Sequence, residues 1–371
     1  MSGEKLEFEG VTGVGQVHLN LEPNQRVYTF IGANGVGKTK TLESLFQVFF
    51  LSNEQNIAID DSIERELFRF KSLTWNAKKI SISNDFLTFL KEFFPSEMLH
   101  SAPVVYLGAQ SRGVLKHNPA SSAQVMGNFK ERRQAYYHHV IDHMSNDFGS
   151  LNMETSIEAW FIALARSSNP YQKKEDNRDI EIRTVIQLLH QIDSRIDPEF
   201  LEISGDDRVS LKIEGQKREL SQLSSGFTSI LKLIQAIVSG YGYFTNEVNL
   251  QHVKGIVLID EIESHLHLTW QANIIPLLKR LFPNTVFYIT THSSIVLSQL
   301  QEGEAYTLYR DETGVVQTRK IEAPNKAALV DIMKDVFKVD LNQMKLDNSN
   351  VDEQQEAKKR LLQLLKQQEK K

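Results

Sequence analysis

The chain has 371 residues, 41% hydrophobic and 24% charged, which is the balance of a globular protein with one large or two modest domains. A net charge of −5 argues against coating nucleic acid by charge alone, and the absence of cysteine rules out thiol catalysis and disulfides. No apolar run approaches the roughly 20 residues needed to span a bilayer, and Met1-Ser-Gly-Glu-Lys5 is no signal peptide, so a soluble, cytoplasmic protein is expected.

Along the chain, Lys5–Phe8, Gln16–Leu21 and Arg26–Ile31 alternate like short strands separated by Gly-rich and Pro-Asn turns. The apolar, β-rich run Val27–Ile31 leads into Gly32-Ala-Asn34-Gly35-Val-Gly37-Lys38-Thr39, which fits Gly-x4-Gly-Lys-Thr. A helix is predicted next, burying one face through Leu42, Leu45, Phe46 and Phe49. In such a loop the glycines let successive N–H groups turn toward phosphate oxygens, and the helix N-terminus adds partial positive charge. Gly32, Asn34, Gly35, Gly37, Lys38, Thr39 and Lys40 are therefore predicted to bind the phosphates of ATP, with Lys38 neutralising the β- and γ-phosphates and Thr39 placing its hydroxyl on Mg²⁺.

Ile80-Ser-Ile-Ser is a possible strand, and Val104–Leu107 a stronger one. Residues 120–195 read as helical and polar, with a basic stripe at Lys130, Arg132 and Arg133 and an aromatic stretch at Ala159–Ala165. Ser168–Asp176 reads as an exposed loop, and Leu201–Ile213 as a hairpin. Leu223-Ser224-Ser225-Gly226-Phe227 then opens the apolar helix Ile230–Val238, so serine hydroxyls and free N–H groups make a second anion site. Gly255–Asp260 reads as a strand buried on both faces and ending in two carboxylates. Strand ends are where a parallel sheet delivers groups to a ligand. Asp260 is expected to hold magnesium through water and Glu261 to polarise the attacking water; neighbours on a strand point opposite ways and cannot share one role. Thr290-Thr-His292-Ser293 closes the series.

In this order the four motifs resemble the ABC-type ATPase head (P-loop NTPase) of the RecF/SMC and OLD superfamily. Leu223–Phe227 stands in for the signature Leu-Ser-Gly-Gly-Gln, with Ser225 replacing the first Gly and Phe227 the Gln. Asp260-Glu-Ile-Glu-Ser-His-Leu-His267 and Phe282–Ser293 are especially similar to OLD-like prokaryotic ATPases. The resemblance is good over about 1–45, 100–112 and 220–300. It implies an α/β fold with an N-terminal antiparallel β layer and an inserted helical subdomain. The expected divisions are an N-terminal lobe (1–118), the helical insert plus hairpin (119–219), a C-terminal lobe (220–320) and a helical extension (321–371).

The resemblance further implies two heads associating head to tail, each ATP lying between Lys38 of one and Ser224, Ser225 and Gly226 of the other. Glu261 would be the general base and His292 the switch histidine at the γ-phosphate. Gln110 takes the place of the Q-loop glutamine that binds nucleotide and metal, with Gln124 and Gln134 as alternatives. His265 and His267 fall in the dimer-contacting D-loop, and His138, His139 and His143 are read as helix surface, so no metal beyond Mg²⁺ is expected.

Only about 180 residues separate the phosphate loop from the signature, without the sustained heptads of SMC arms, and too few follow His292 for the nuclease domain of OLD enzymes. Such a head resembles the Septu PtuA-type antiphage ATPases, which implies a regulatory ATPase, homodimeric or larger, controlling a separate nuclease. The alternative is a RecF-like clamp that binds DNA with its basic stripe.

Overall fold

Ten strands form one continuous sheet in the computed structural model, which describes residues 5–82, 84–113, 127–154, 156–169, 171–173 and 176–348. In spatial order they are Lys78–Ser81, Ser72–Trp75, Lys5–Val11, Gly15–Asn20, Val316–Lys320, Ala305–Arg310, Val27–Ile31, Val286–Thr290, Ile256–Ile259 and Val104–Leu107. The last five run parallel to one another. Their apolar runs are buried on both faces, as parallel strands covered by helices require. Ile259 lies level with Leu107 on one side and Ile289 on the other, so Gly108, Asp260 and Thr290 stand level at one end of these strands.

The first four strands are antiparallel and join the parallel half through Val316–Lys320 and Ala305–Arg310. The expected N-terminal β layer is thus the outer half of the same sheet. The third predicted strand, Arg26–Ile31, belongs to the parallel half instead.

Helix Lys38–Leu51 follows the phosphate loop. The sequence predicted one buried face, yet every residue from Thr41 to Leu51 is buried. The sheet covers one side, where Phe49 meets Tyr288 and Phe46 meets Tyr106. Further chain closes the other: Phe50 stacks on Tyr137, and Gln47 donates to Leu67 O and accepts from Arg69 N–H. A polar side chain is tolerated here because both ends of its amide are satisfied.

The middle of the chain supplies helices Phe129–Asn146, Ile157–Ser167 and Asp179–Ile192. The first carries a capping box, Asn128 with Glu131, and the second is capped by Ser156. The first and third pack on helix Ser225–Phe244, and the second reaches it through Trp160, whose Nε1 donates to Ser239 Oγ at 3.2 Å. The segment read as polar therefore buries much of its surface, including Trp160, Phe161 and Leu189. The hairpin appears as Ile196–Ile203 and Val209–Ile213, extended by a third antiparallel strand, Gln216–Glu219.

These elements belong to a unit spanning 1–325; a second compact unit spans 326–371. The latter contains helices Leu329–Asp335 and Leu341–Asn348, while the charged segment Asp352–Lys371 lies outside the described residues. Among the described residues no helix is long and apolar enough to cross a membrane.

Candidate active site

The phosphate loop emerges from Val27–Ile31 and ends at Gly37, the N-cap of helix Lys38–Leu51. Gly37 has φ 111°, and a Cβ there would lie 2.7 Å from the Val14 side chain, so both backbone and space demand glycine. Ala33, Asn34 and Gly35 are exposed at the loop tip. Lys38 is buried, and its ammonium donates to Gly32 O at 2.9 Å and Ala33 O at 3.0 Å. Burial lowers its pKa, while Asp260, Glu261 and Glu263 raise it. Lys40 turns to the buried Glu43, 2.7 Å away.

Asp260 follows directly on strand Ile256–Ile259 and is buried. Thr39 Oγ1 lies 3.1 Å from both its carboxylate oxygens, and Thr290 Oγ1 donates to Oδ1 at 2.5 Å. Burial lifts the carboxyl above its usual range, although these two hydroxyls oppose the shift. A carboxylate and a hydroxyl facing each other at a helix N-terminus suit a hard divalent cation, which prefers oxygen ligands. The donor set therefore fits Mg²⁺.

Glu261 is half-buried, with Oε2 accepting from Ser264 Oγ at 3.3 Å. Its N–H donates to Thr290 Oγ1 at 2.8 Å, so one threonine ties both acidic residues together. Glu263 accepts from Thr291 Oγ1 and from His292 N–H, each at 2.6 Å. His292 is exposed beside this anchor. Residue type and spacing assign no role to Thr290, Thr291 or Glu263; their signal in the sequence is position next to the two strand ends.

Ser224 caps the 20-residue helix Ser225–Phe244, accepting from Phe227 N–H at 3.3 Å. Ser224 and Ser225 are exposed. Gly226 is buried against Trp270, whose ring would be 3.2 Å from a Cβ there. Helix Ser225–Phe244 meets Val105 through Gly240, whereas helix Lys38–Leu51 meets Tyr106 through Phe46, so the two cover opposite faces of strand Val104–Leu107. No hydrogen bond joins Ser224, Ser225 or Gly226 to residues 32–40 among the described residues.

Gln110 is exposed, and its N–H donates to Gly149 O; its side chain makes no hydrogen bond to Thr39 or Asp260. Gln134 is exposed on helix Phe129–Asn146, and Gln124 lies outside the described residues. His143 bonds to Glu154 at 2.7 Å and packs beside His139. Among the described residues no group of three or more His, Cys, Asp or Glu is arranged for a metal. His267 caps the short helix Leu268–Gln271.

The family described as "AAA domain, putative AbiEii toxin, Type IV TA system" matches residues 126–298. Septu protein PtuA of Bacillus thuringiensis is 23% identical over 335 residues, covering 86% of this chain and 78% of that protein. The retron Ec83 probable ATPase of Escherichia coli is 44% identical over 88 residues, 24% of this chain and 16% of that one. These similarities support an ABC-type ATPase head. They support ATP hydrolysis as its activity. The SMC head domain of Thermotoga maritima superposes on 87% of this ATPase and 100% of that chain, with 16% identity and a TM-score of 0.42.

Within the ATPase the basic stripe is not a solvated face. Arg132 is buried and donates to Gly127 O at 2.8 Å, leaving Lys130 exposed. Burial also draws the Arg133 guanidinium down to about 10. The helix turns these residues inward because it is packed on its neighbours, which composition alone did not reveal.

Proposed function

We propose that the ATPase works as a head-to-tail dimer or larger homo-oligomer that controls a separate effector nuclease in prokaryotic antiphage defence, in the cytoplasm. The observation that carries the dimer is the separation of the two anion sites. Each lies at a helix N-terminus, yet the two helices cover opposite faces of the sheet and no hydrogen bond joins the two sites among the described residues. A second head can bring its Ser224–Gly226 to the ATP on Lys38 of the first. The defence role and the nuclease are supported by similarity to Septu PtuA and the retron ATPase.

In this scheme the N–H groups of Gly32–Thr39 and the Lys38 ammonium hold the phosphates. Lys38 exchanges its bonds to Gly32 O and Ala33 O for phosphate oxygens. Thr39 and Asp260, with Gln110, would hold Mg²⁺, which screens phosphate charge and fixes the geometry of in-line attack. Glu261 takes the proton of the attacking water. His292, steadied through its backbone by Glu263, hydrogen-bonds the γ-phosphate. We also propose the four divisions 1–118, 119–219, 220–320 and 321–371 as the working parts of the head.

Mixing a Ser225 variant with a Lys38 variant tests the dimer: each alone is inactive, and one intact composite site should form in the mixed assembly. Hydrolysis that stays absent on mixing sinks the head-to-tail arrangement. For the effector, Glu261→Gln purified from its native host with Mg·ATP should carry a stoichiometric nuclease. Recovery of DNA with repair proteins instead would support the RecF-like clamp, which the inward-turned Arg132 does not favour.

A further inference from the structure

Arg112 has no place in the scheme above, yet it is the largest of the fully buried side chains. A guanidinium inside a protein is costly unless its donors are satisfied. Here the partners are backbone carbonyls rather than a carboxylate. Nη1 donates to Glu261 O at 2.8 Å, and Nη2 lies 2.8 Å from Asp260 O, 2.7 Å from Gly108 O and 3.4 Å from Leu107 O. These oxygens stand at the ends of two neighbouring parallel strands, where Leu107 O also accepts from Asp260 N–H and Glu261 O from Ser264 N–H.

Glu261 needs such support because it is left-handed, with φ 46°. A side chain in that region costs on the order of 1–3 kcal/mol and persists only where its surroundings hold it. Both flanking peptide groups are held. Thr290 Oγ1 accepts from the N–H, and Arg112 donates to the C=O. The loop bearing Arg112 is tied in turn to helix Ser225–Phe244. Ser111, itself left-handed at φ 61°, accepts from Lys232 Nζ at 2.7 Å, and that ammonium also reaches Met153 O at 3.2 Å. Lys232 sits two helical turns beyond Ser225.

We infer that Arg112 is a positioning residue for hydrolysis: it fixes the backbone turn that aims the Glu261 carboxylate, and Lys232 hangs that turn on the helix beginning at Ser225. This rests on Glu261 being the general base. Movement of the helix start is then transmitted through Lys232, Ser111 and Arg112 to the base of the same head.

The test measures kcat by phosphate release and nucleotide affinity with a fluorescent ATP analogue, using the full chain. Arg112→Lys keeps a cation but loses the planar fork, and should lower kcat about 10–100-fold, the scale of a small misplacement of a reacting group. Nucleotide affinity should stay unchanged. In a Glu261→Gln background the same substitution should cost nothing further, because it acts through that carboxylate. A wild-type kcat, a parallel loss of nucleotide binding, or an equal loss in both backgrounds overturns the inference. Full hydrolysis by Glu261→Gln alone removes the base itself, a result distinct from those three. If Arg112→Lys does not fold, Lys232→Met decides: a kcat loss at constant affinity supports the relay, and an unchanged kcat overturns it.

Discussion

The strand ends around Asp260 and the start of helix Ser225–Phe244 offer similar chemistry finished to different degrees. At the first, Thr39, Thr290, Thr291, Glu263 and Arg112 form bonds between segments up to 221 residues apart. At the second, among the described residues, Ser224 bonds only to its own helix, and Ser225 is exposed. A site tied within the chain is preorganised, so its donors cost no rearrangement when charge develops. A site left open has donors free to meet the charge of another molecule.

The sharpest way to break this comparison is at the finished end. Glu261→Gln should slow phosphate release by about 10²–10⁴-fold, the usual cost of losing a general base, while ATP still binds. A rate near wild type would remove Glu261 from the chemistry.

At the open end, Ser225→Glu puts a carboxylate in the first turn of a helix, where the dipole favours it, so the fold should persist. Hydrolysis should nevertheless fall about 10²–10³-fold, as when a donor to a developing anion is lost. ATP affinity of an isolated head should be unchanged in titration calorimetry. A fall in that affinity would place Ser225 in its own head's site and erase the contrast.

Lys38→Ala should weaken ATP binding by about 10–100-fold, matching the roughly 1.5–3 kcal/mol of hydrogen bonds to charged groups. The same titration measures it.

The smallest effect concerns stability. The buried Asp260 carboxyl has a raised folded-state pKa, so its stabilising share is present below the unfolded value and lost as pH rises through the folded one. Without nucleotide or metal, Asp260→Asn should therefore raise the Tm at neutral pH, within the roughly 0.5–2 kcal/mol typical of relieving a functional site. It should also flatten the decline with rising pH. Thermal melts in steps from below the ordinary aspartate range up to pH 8 check both, and an unchanged slope would show that Asp260 is not the group that titrates.

Much of the site was legible because its signals are local. Gly-x4-Gly-Lys-Thr dictates a loop and helix N-terminus within eight residues, and Gly255–Asp260 announces a buried strand by apolar content alone. The hairpin before the signature was legible for the same reason. Arg112 was not, since nothing near it in sequence distinguishes a buried clamp from a surface arginine. Arg132 failed in the opposite direction, reading as an exposed stripe while its helix turns it inward.

By itself the sequence determined the phosphate loop, the two carboxylates after a buried strand, the serines opening a helix and the α/β class, because each follows from residue type and short-range spacing. Only the tertiary structure decided that Thr290 joins Asp260 to Glu261, that Glu263 anchors His292, and that Arg112 holds the turn between them. Those bonds depend on which strands lie side by side, and adjacency in a sheet is set by the packing of the whole chain rather than by any stretch of it.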